Sequence, residues 1–172
     1  MPRYVISLLL LMTIVPVEAG AQYLQAIPPA GQTVNLTGVR VVATFLPPGV
    51  RDLARDLGRE VGPVISQFGW QFERRFLTSP DGGTGVTEFV GLIGGVEQDL
   101  VLPSLSWLVG FRTANGLEVA AGPNLSVSGT ALALAAGVTF RAGNLNLPVN
   151  IAVVPSKSGM RVSLIAGFNS RR

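Results

Sequence analysis

The sequence predicts an all-β chain, an antiparallel up-and-down β-barrel of about eight strands with one short amphipathic helix between the first two. Three observations point to it. From about residue 68 onward the chain alternates large apolar with small or polar residues at period two, the repeat of strands with two unlike faces. Turn-forming groups (Pro80-Asp81-Gly82-Gly83, Asn115-Gly116, Gly143-Asn144 and Ser158-Gly159) separate the alternating runs where positive backbone φ is needed. A single segment follows a helical period instead.

Taken in order, Arg3 precedes an apolar run from Tyr4 to Val17, and Ala19-Gly20-Ala21 follows in an A-x-A arrangement. Residues 1–21 read as a secretory signal peptide with cleavage before Gln22. Val5 to Val17 is shorter than the roughly 20 residues a membrane-crossing helix needs, and Pro16 ends it. Residues 22–33, with Pro28, Pro29 and Gly31, read as an irregular arm, and 34–172 as one barrel domain.

The first strand is expected over 34–45. Val34 and Leu36 lie on one phase, and Val39, Val41, Ala43 and Phe45 on the other, which predicts a bulge at Gly38. After Pro47-Pro48, Val50, Leu53, Ala54, Leu57 and Val61 recur at helical spacing among Arg51, Asp52, Arg55, Asp56, Arg59 and Glu60. This predicts an amphipathic helix over 50–61, ending near Gly62-Pro63. Its charged rows can interact at i,i+3, as Asp52 with Arg55. A solvated helix over a barrel mouth is the favoured reading, above a helix whose arginines meet lipid head groups. The second strand puts Phe68, Trp70, Phe72 and Phe76 on one face, with Arg74 the exception. The others are expected at about 86–97, 102–112, 117–123, 129–141, 145–154 and 159–168.

Composition removes many activities. The chain has no cysteine and no histidine, which excludes Cys nucleophiles, Ser-His triads and the usual Zn, Cu and haem ligation. No cofactor is expected. The net charge of +3 comes from scattered arginines and the single Lys157, with no basic stripe, so nucleic acid is not an expected partner.

Residue identity on the two faces separates a membrane barrel from a soluble one. The fourth strand sets Leu105, Trp107, Val109 and Phe111 against Ser104, Ser106, Leu108, Gly110 and Arg112. The sixth sets Leu132, Leu134, Ala136, Val138 and Phe140 against Ala131, Ala133, Ala135, Gly137, Thr139 and Arg141. A water-exposed face carries many Lys and Glu, whereas a narrow lumen needs small residues and a few mutually paired polar ones. The small face is therefore predicted to point inward. Candidate lumen groups are Gln71, Glu73, Arg75, Arg112, Glu118, Asn124, Arg141, Asn146, Asn150 and Arg161, with Arg161 expected to have a carboxylate partner. If the chain enters from the periplasm, the even-numbered strands end on Phe76, Phe111, Phe140 and Phe168 at one membrane interface, where aromatic girdles belong.

Gly159 to Phe168, in which Met160, Val162, Leu164, Ala166 and Phe168 alternate up to a near-terminal aromatic, resembles the C-terminal strand of bacterial outer-membrane β-barrels. The resemblance implies outer-membrane lipid and the barrel-assembly machinery as partners. The sequence departs from the pattern by adding Asn169-Ser170-Arg171-Arg172 after the aromatic.

No catalytic constellation stands out. Glu73, Glu88, Glu97 and Glu118 could supply a carboxylate pair for glycoside cleavage, but ion pairs with Arg75, Arg112 and Arg161 are the favoured role. Gly82-Gly83-Thr84-Gly85 lacks the following helix and Lys-Ser/Thr of a phosphate loop. The expected function is that of a small outer-membrane barrel with a structural or interaction role and no enzymatic step. The alternative is a soluble periplasmic or extracellular β-barrel or sandwich that binds an apolar ligand or a protein.

Overall fold

The computed structural model describes residues 34–56, 58–142 and 145–171. The expected signal peptide and arm, and the Gly143-Asn144 turn, lie outside the described residues. The elements are β1 (Val34–Phe45), α1 (Pro48–Asp56), β2 (Val64–Thr78), β3 (Thr84–Gly94), β4 (Leu102–Arg112), β5 (Leu117–Ser126), β6 (Gly129–Ala142), β7 (Leu145–Ser156), β8 (Gly159–Gly167) and β9 (Asn169–Arg171).

From β1 to β8 each strand pairs antiparallel with the next, and β1 pairs with both β2 and β8, so the sheet closes into an eight-stranded barrel. The register fixes its shape. Stepping from partner to partner, Arg75, Val86, Gly110, Ala120, Ala135, Ala152, Ser163 and Thr44 lead back to β2 at Ile65, and 75 − 65 is a stagger of ten residues. For eight strands this requires a tilt of roughly 35–45° and leaves an interior that side chains fill.

β9 is not a separate strand in register. β7 and β1 each hold the same pairing offset on both sides of Phe168, so β9 continues β8 past the aromatic. The four-residue departure from the terminal-strand pattern is thus a prolongation of the closing strand as far as Arg171.

Three sequence expectations need correction. The bulge at Gly38 is absent: β1 pairs with β2 without a shift from Val34↔Arg75 to Phe45↔Val64. Leu36, Gly38, Arg40, Val42 and Thr44 form one buried inward row, and the two early apolar residues belong to it. The irregularity lies instead in β2, where the pairing with β3 shifts between Arg75 and Leu77. The helix ends at Asp56, short of the expected residue 61, because Gly58 adopts φ 74° and returns its N–H to the Arg55 carbonyl at 2.8 Å. β3 stops at Gly94, because Gly95 turns left-handed into a 3-10 turn over Val96–Gln98. That turn is tied to the start of β2: Gln98 Oε1 accepts the Gly62 N–H at 2.7 Å, and Glu97 Oε1 accepts that of Ser66 at 2.7 Å.

Polarity is inverted relative to a soluble barrel. The outward face of the strands presents residues such as Phe68, Trp107 (59% exposed) and Ile151 (55% exposed). The inward face carries Arg40, Gln71, Glu73, Glu88, Arg112, Glu118 and Asn124, all buried, beside a small apolar cluster of Leu108, Ala120, Ala133 and Val154.

Candidate functional site

The lumen is divided along its length. Toward the end bearing the turns at 79–83 and 113–116, the inward rows of β2, β3, β4 and β5 bring Glu73, Glu88, Arg112 and Glu118 together. Arg112 is the hub. Its NH1 and NH2 groups donate to the two oxygens of Glu73 at 2.6 and 2.9 Å, the bidentate geometry that suits a guanidinium. Its Nε donates to Glu118 Oε2 at 2.5 Å, and NH2 lies 3.7 Å from Glu88 Oε1. Arg75 Nε adds a further bond to Glu73, at 2.9 Å.

A second guanidinium, that of Arg40, is fully buried. Its Nε donates to Gln71 Oε1 at 2.8 Å, and Gln71 Nε2 donates in turn to Glu88 Oε1 at 2.6 Å. Its NH2 donates to Asn169 Oδ1 at 2.8 Å, while Asn169 Nδ2 donates to Glu73 Oε2 at 3.1 Å. Two amides thus relay Arg40 to the carboxylates. Three guanidinium groups, those of Arg40, Arg75 and Arg112, stand beside three carboxyl groups, those of Glu73, Glu88 and Glu118, so the formal charges of the buried cluster match in number.

Of the residues expected in the lumen, Gln71, Glu73, Arg75, Arg112 and Glu118 meet here. Arg141 and Asn146 face one another across β6 and β7, half-buried. Asn150 is buried against Gly137, where a Cβ would lie 2.1 Å from its Oδ1. Asn124 and Arg161 belong to a second group nearer the helix. There Asn124 Nδ2 donates to the hydroxyls of Ser104 and Ser106, both at 2.9 Å, and Arg161 donates to Ser126 Oγ and Asn124 Oδ1, both at 3.0 Å. The carboxylate expected for Arg161 is not found among the described residues, because the inward positions around it carry Ser and Asn. Since removing it strands no buried anion, Arg161→Gln is expected to change stability by less than about 1 kcal/mol in urea titration of the folded barrel.

Arg40 and Asn169 escaped the sequence reading of the lumen, whereas Glu88, outside the lumen candidates but expected to form ion pairs, lies beside Arg112. The signal existed: Gly38, Arg40 and Thr44 alternate with Val39, Val41, Ala43 and Phe45. The apolar Leu36 and Val42 on the inward row obscured it. Glu97 sits on the β3–β4 connection, apart from the other carboxylates.

On the outside, Phe76, Phe111, Phe140 and Phe168 are all exposed. Phe111 pairs with Gly85, against which the Phe76 ring also lies, with its edge 3.0 Å from where a Gly85 Cβ would be. Phe140 pairs with Leu147, and the β7–β8 register carried two residues beyond Val149↔Ala166 sets Leu147 beside Phe168. Both outward-facing tryptophans have their indole N–H satisfied within the sheet, Trp70 by Thr37 Oγ1 and Trp107 by Thr87 Oγ1, the latter at 2.9 Å.

No protein-family model and no curated protein matches the sequence. Among solved structures, two crystal structures of Ail, the attachment invasion locus protein of Yersinia pestis, share the fold. One has a TM-score of 0.55 at 15% identity. The other, in complex with the heparin analogue sucrose octasulfate, has a TM-score of 0.54 at 13% identity. Each comparison covers 83% of this chain and 99% of that chain. The chain therefore shares its eight-stranded antiparallel barrel fold with Ail.

Proposed function

We propose that this chain is an exported outer-membrane β-barrel with a structural or interaction role, held by lipid, inserted by the barrel-assembly machinery, and performing no enzymatic step. One observation carries the reading: a closed barrel whose large apolar side chains are outside and whose charges are inside is stable only where the outside is hydrocarbon. The satisfied indole N–H groups of Trp70 and Trp107 support it, since a donor facing water would need no threonine partner. Phe76, Phe111, Phe140 and Phe168 then form the girdle at the tight-turn interface. Glu73, Glu88 and Glu118 serve as the anions of an ion-pair plug, each being held by or lying beside Arg112. A soluble barrel would require the opposite arrangement of faces.

Fractionation tests the location: the chain should be recovered with outer membranes and need detergent for extraction. Recovery in the soluble periplasm would sink the proposal. Insertion tests the faces. Ile151→Arg, at mid-strand on the outward row of β7, should cost about 2–4 kcal/mol of folded barrel in vesicles. Leu147→Arg, in register with Phe140 near the girdle, should cost about 0–1 kcal/mol, and inward Asn150→Ser should be mild. Equal tolerance of Ile151→Arg and Asn150→Ser would contradict the assignment.

A further inference from the structure

Above the apolar cluster, at the helix end of the lumen, the barrel holds a partly open cavity of about 310 Å3. This is at the small end of the roughly 300–1,000 Å3 range of small-molecule sites. Its walls are mainly aliphatic, with Ile65, Val90, Leu102 and Ile165 among them, and Leu53 and Ala54 of α1 cover it. Leu108, Ala133 and Val154 line it where it meets the apolar cluster.

Its charge sets it apart from the rest of the interior. Among the described residues no carboxylate lines it, while two cations do, Arg161 and Arg59. The formal charges of the ion-pair cluster at the other end match in number, but Arg161 holds only the neutral oxygens of Ser126 and Asn124, and its Nε is buried without a partner. Arg161 lies two residues after the β7–β8 turn and Arg59 follows the helix, so both charges sit toward the mouth. An unneutralised guanidinium at the mouth of a narrow aliphatic chamber is complementary to one kind of molecule, an anion with a single apolar tail.

We infer that this chamber binds a medium-chain fatty carboxylate, its head group on Arg161 and its tail running down toward Leu108 and Ala133 beneath α1. The volume leaves no room for a two-chain lipid. The inference is independent of the barrel's role in the membrane, because the chamber lies inside the sheet.

The test is calorimetric titration of decanoate into the full mature chain in nanodiscs of zwitterionic phospholipid, with empty nanodiscs as reference and decanol and decyltrimethylammonium as comparators. Each protein is first checked for heat-modifiable folding. Decanoate should bind saturably, one molecule per barrel. Decanol on the wild-type chain, and decanoate on Arg161→Gln, should each bind about tenfold more weakly, as loss of a charge-assisted hydrogen bond implies. Ala133→Leu, which fills the lower chamber, should abolish binding. The absence of saturable binding above empty nanodiscs, or equal affinity for decanoate and decanol, overturns the inference. So does a folded Arg161→Gln with unchanged decanoate affinity. The decanol comparison needs no variant, so the test stands even if a substituted chain misfolds.

Discussion

Arg112→Met is expected to lower the stability of the folded barrel by about 3–5 kcal/mol, the cost of removing one member of a buried ion-pair network. The loss comes from what is left behind. Glu73, Glu88 and Glu118 are each at most 4% exposed, and Arg112 is bonded to Glu73 and Glu118 and adjacent to Glu88. Without it, Glu73 keeps Arg75 directly and Arg40 through Asn169, Glu88 keeps Arg40 through Gln71, and Glu118 loses the guanidinium that holds it. Reversible urea unfolding in lipid vesicles, followed by tryptophan fluorescence, would measure the loss. Neutralising the anions as well, with Glu73→Gln and Glu118→Gln beside Arg112→Met, should recover much of it, because a buried ion pair is worth little over a neutral replacement. A loss below about 1 kcal/mol for Arg112→Met alone would mean that water reaches the cluster and that it does not seal the lumen.

The barrel could be foreseen because two neighbouring physical demands write a strong pattern. Lipid outside and a narrow lumen inside force large apolar and small polar residues to alternate, so β4, β6 and β7 could be read directly, as could the turns at Gly82, Gly116 and Gly159. The pattern failed where the lumen itself becomes apolar. Leu36 and Val42 lie on the same inward row as Arg40, and reading Val34 and Leu36 against Val39, Val41, Ala43 and Phe45 as a change of phase produced a bulge that is not there and hid a guanidinium that is. Partners across the barrel were beyond reach for another reason. Asn169 and Glu73 are 96 residues apart and meet only because the stagger of ten residues brings the end of β8 to the end of β2. The helix boundary turned on which of two glycines, Gly58 or Gly62, took the left-handed conformation, and either could have ended it.

Gly38→Ala is expected to do comparable damage at the seam where the sheet closes. A Cβ on Gly38 would lie 1.6 Å from the carbonyl oxygen of Phe168 and 2.8 Å from Asn169 Oδ1. The first obstacle is backbone, which cannot swing aside as a side-chain tip can. Relief requires β1 and the closing strand to separate at the point where Phe168 N donates to the Val39 carbonyl and Arg40 NH1 reaches the Phe168 carbonyl. Asn169 would move with that strand, so Arg40 and Glu73 would each lose an amide partner. The cost should reach or exceed the top of the usual overpacking range of about 1–3 kcal/mol. Gly91→Ala is the matching control: it is a strand-interior glycine on the outward face, where a Cβ would meet only Leu105 Cδ1 at an ordinary 3.8 Å, and reduced freedom of the unfolded chain should make it neutral or slightly stabilising. The fraction migrating as compact barrel in unheated gels, measured after refolding into vesicles and in isolated membranes, distinguishes the two. If Gly38→Ala folds as fully as Gly91→Ala, strand closure does not depend on the contact between Gly38 and Phe168, and the extension beyond Phe168 is free to adjust. If it is depleted while Gly91→Ala is not, close backbone approach at one glycine limits both closure of the barrel and completion of its internal network.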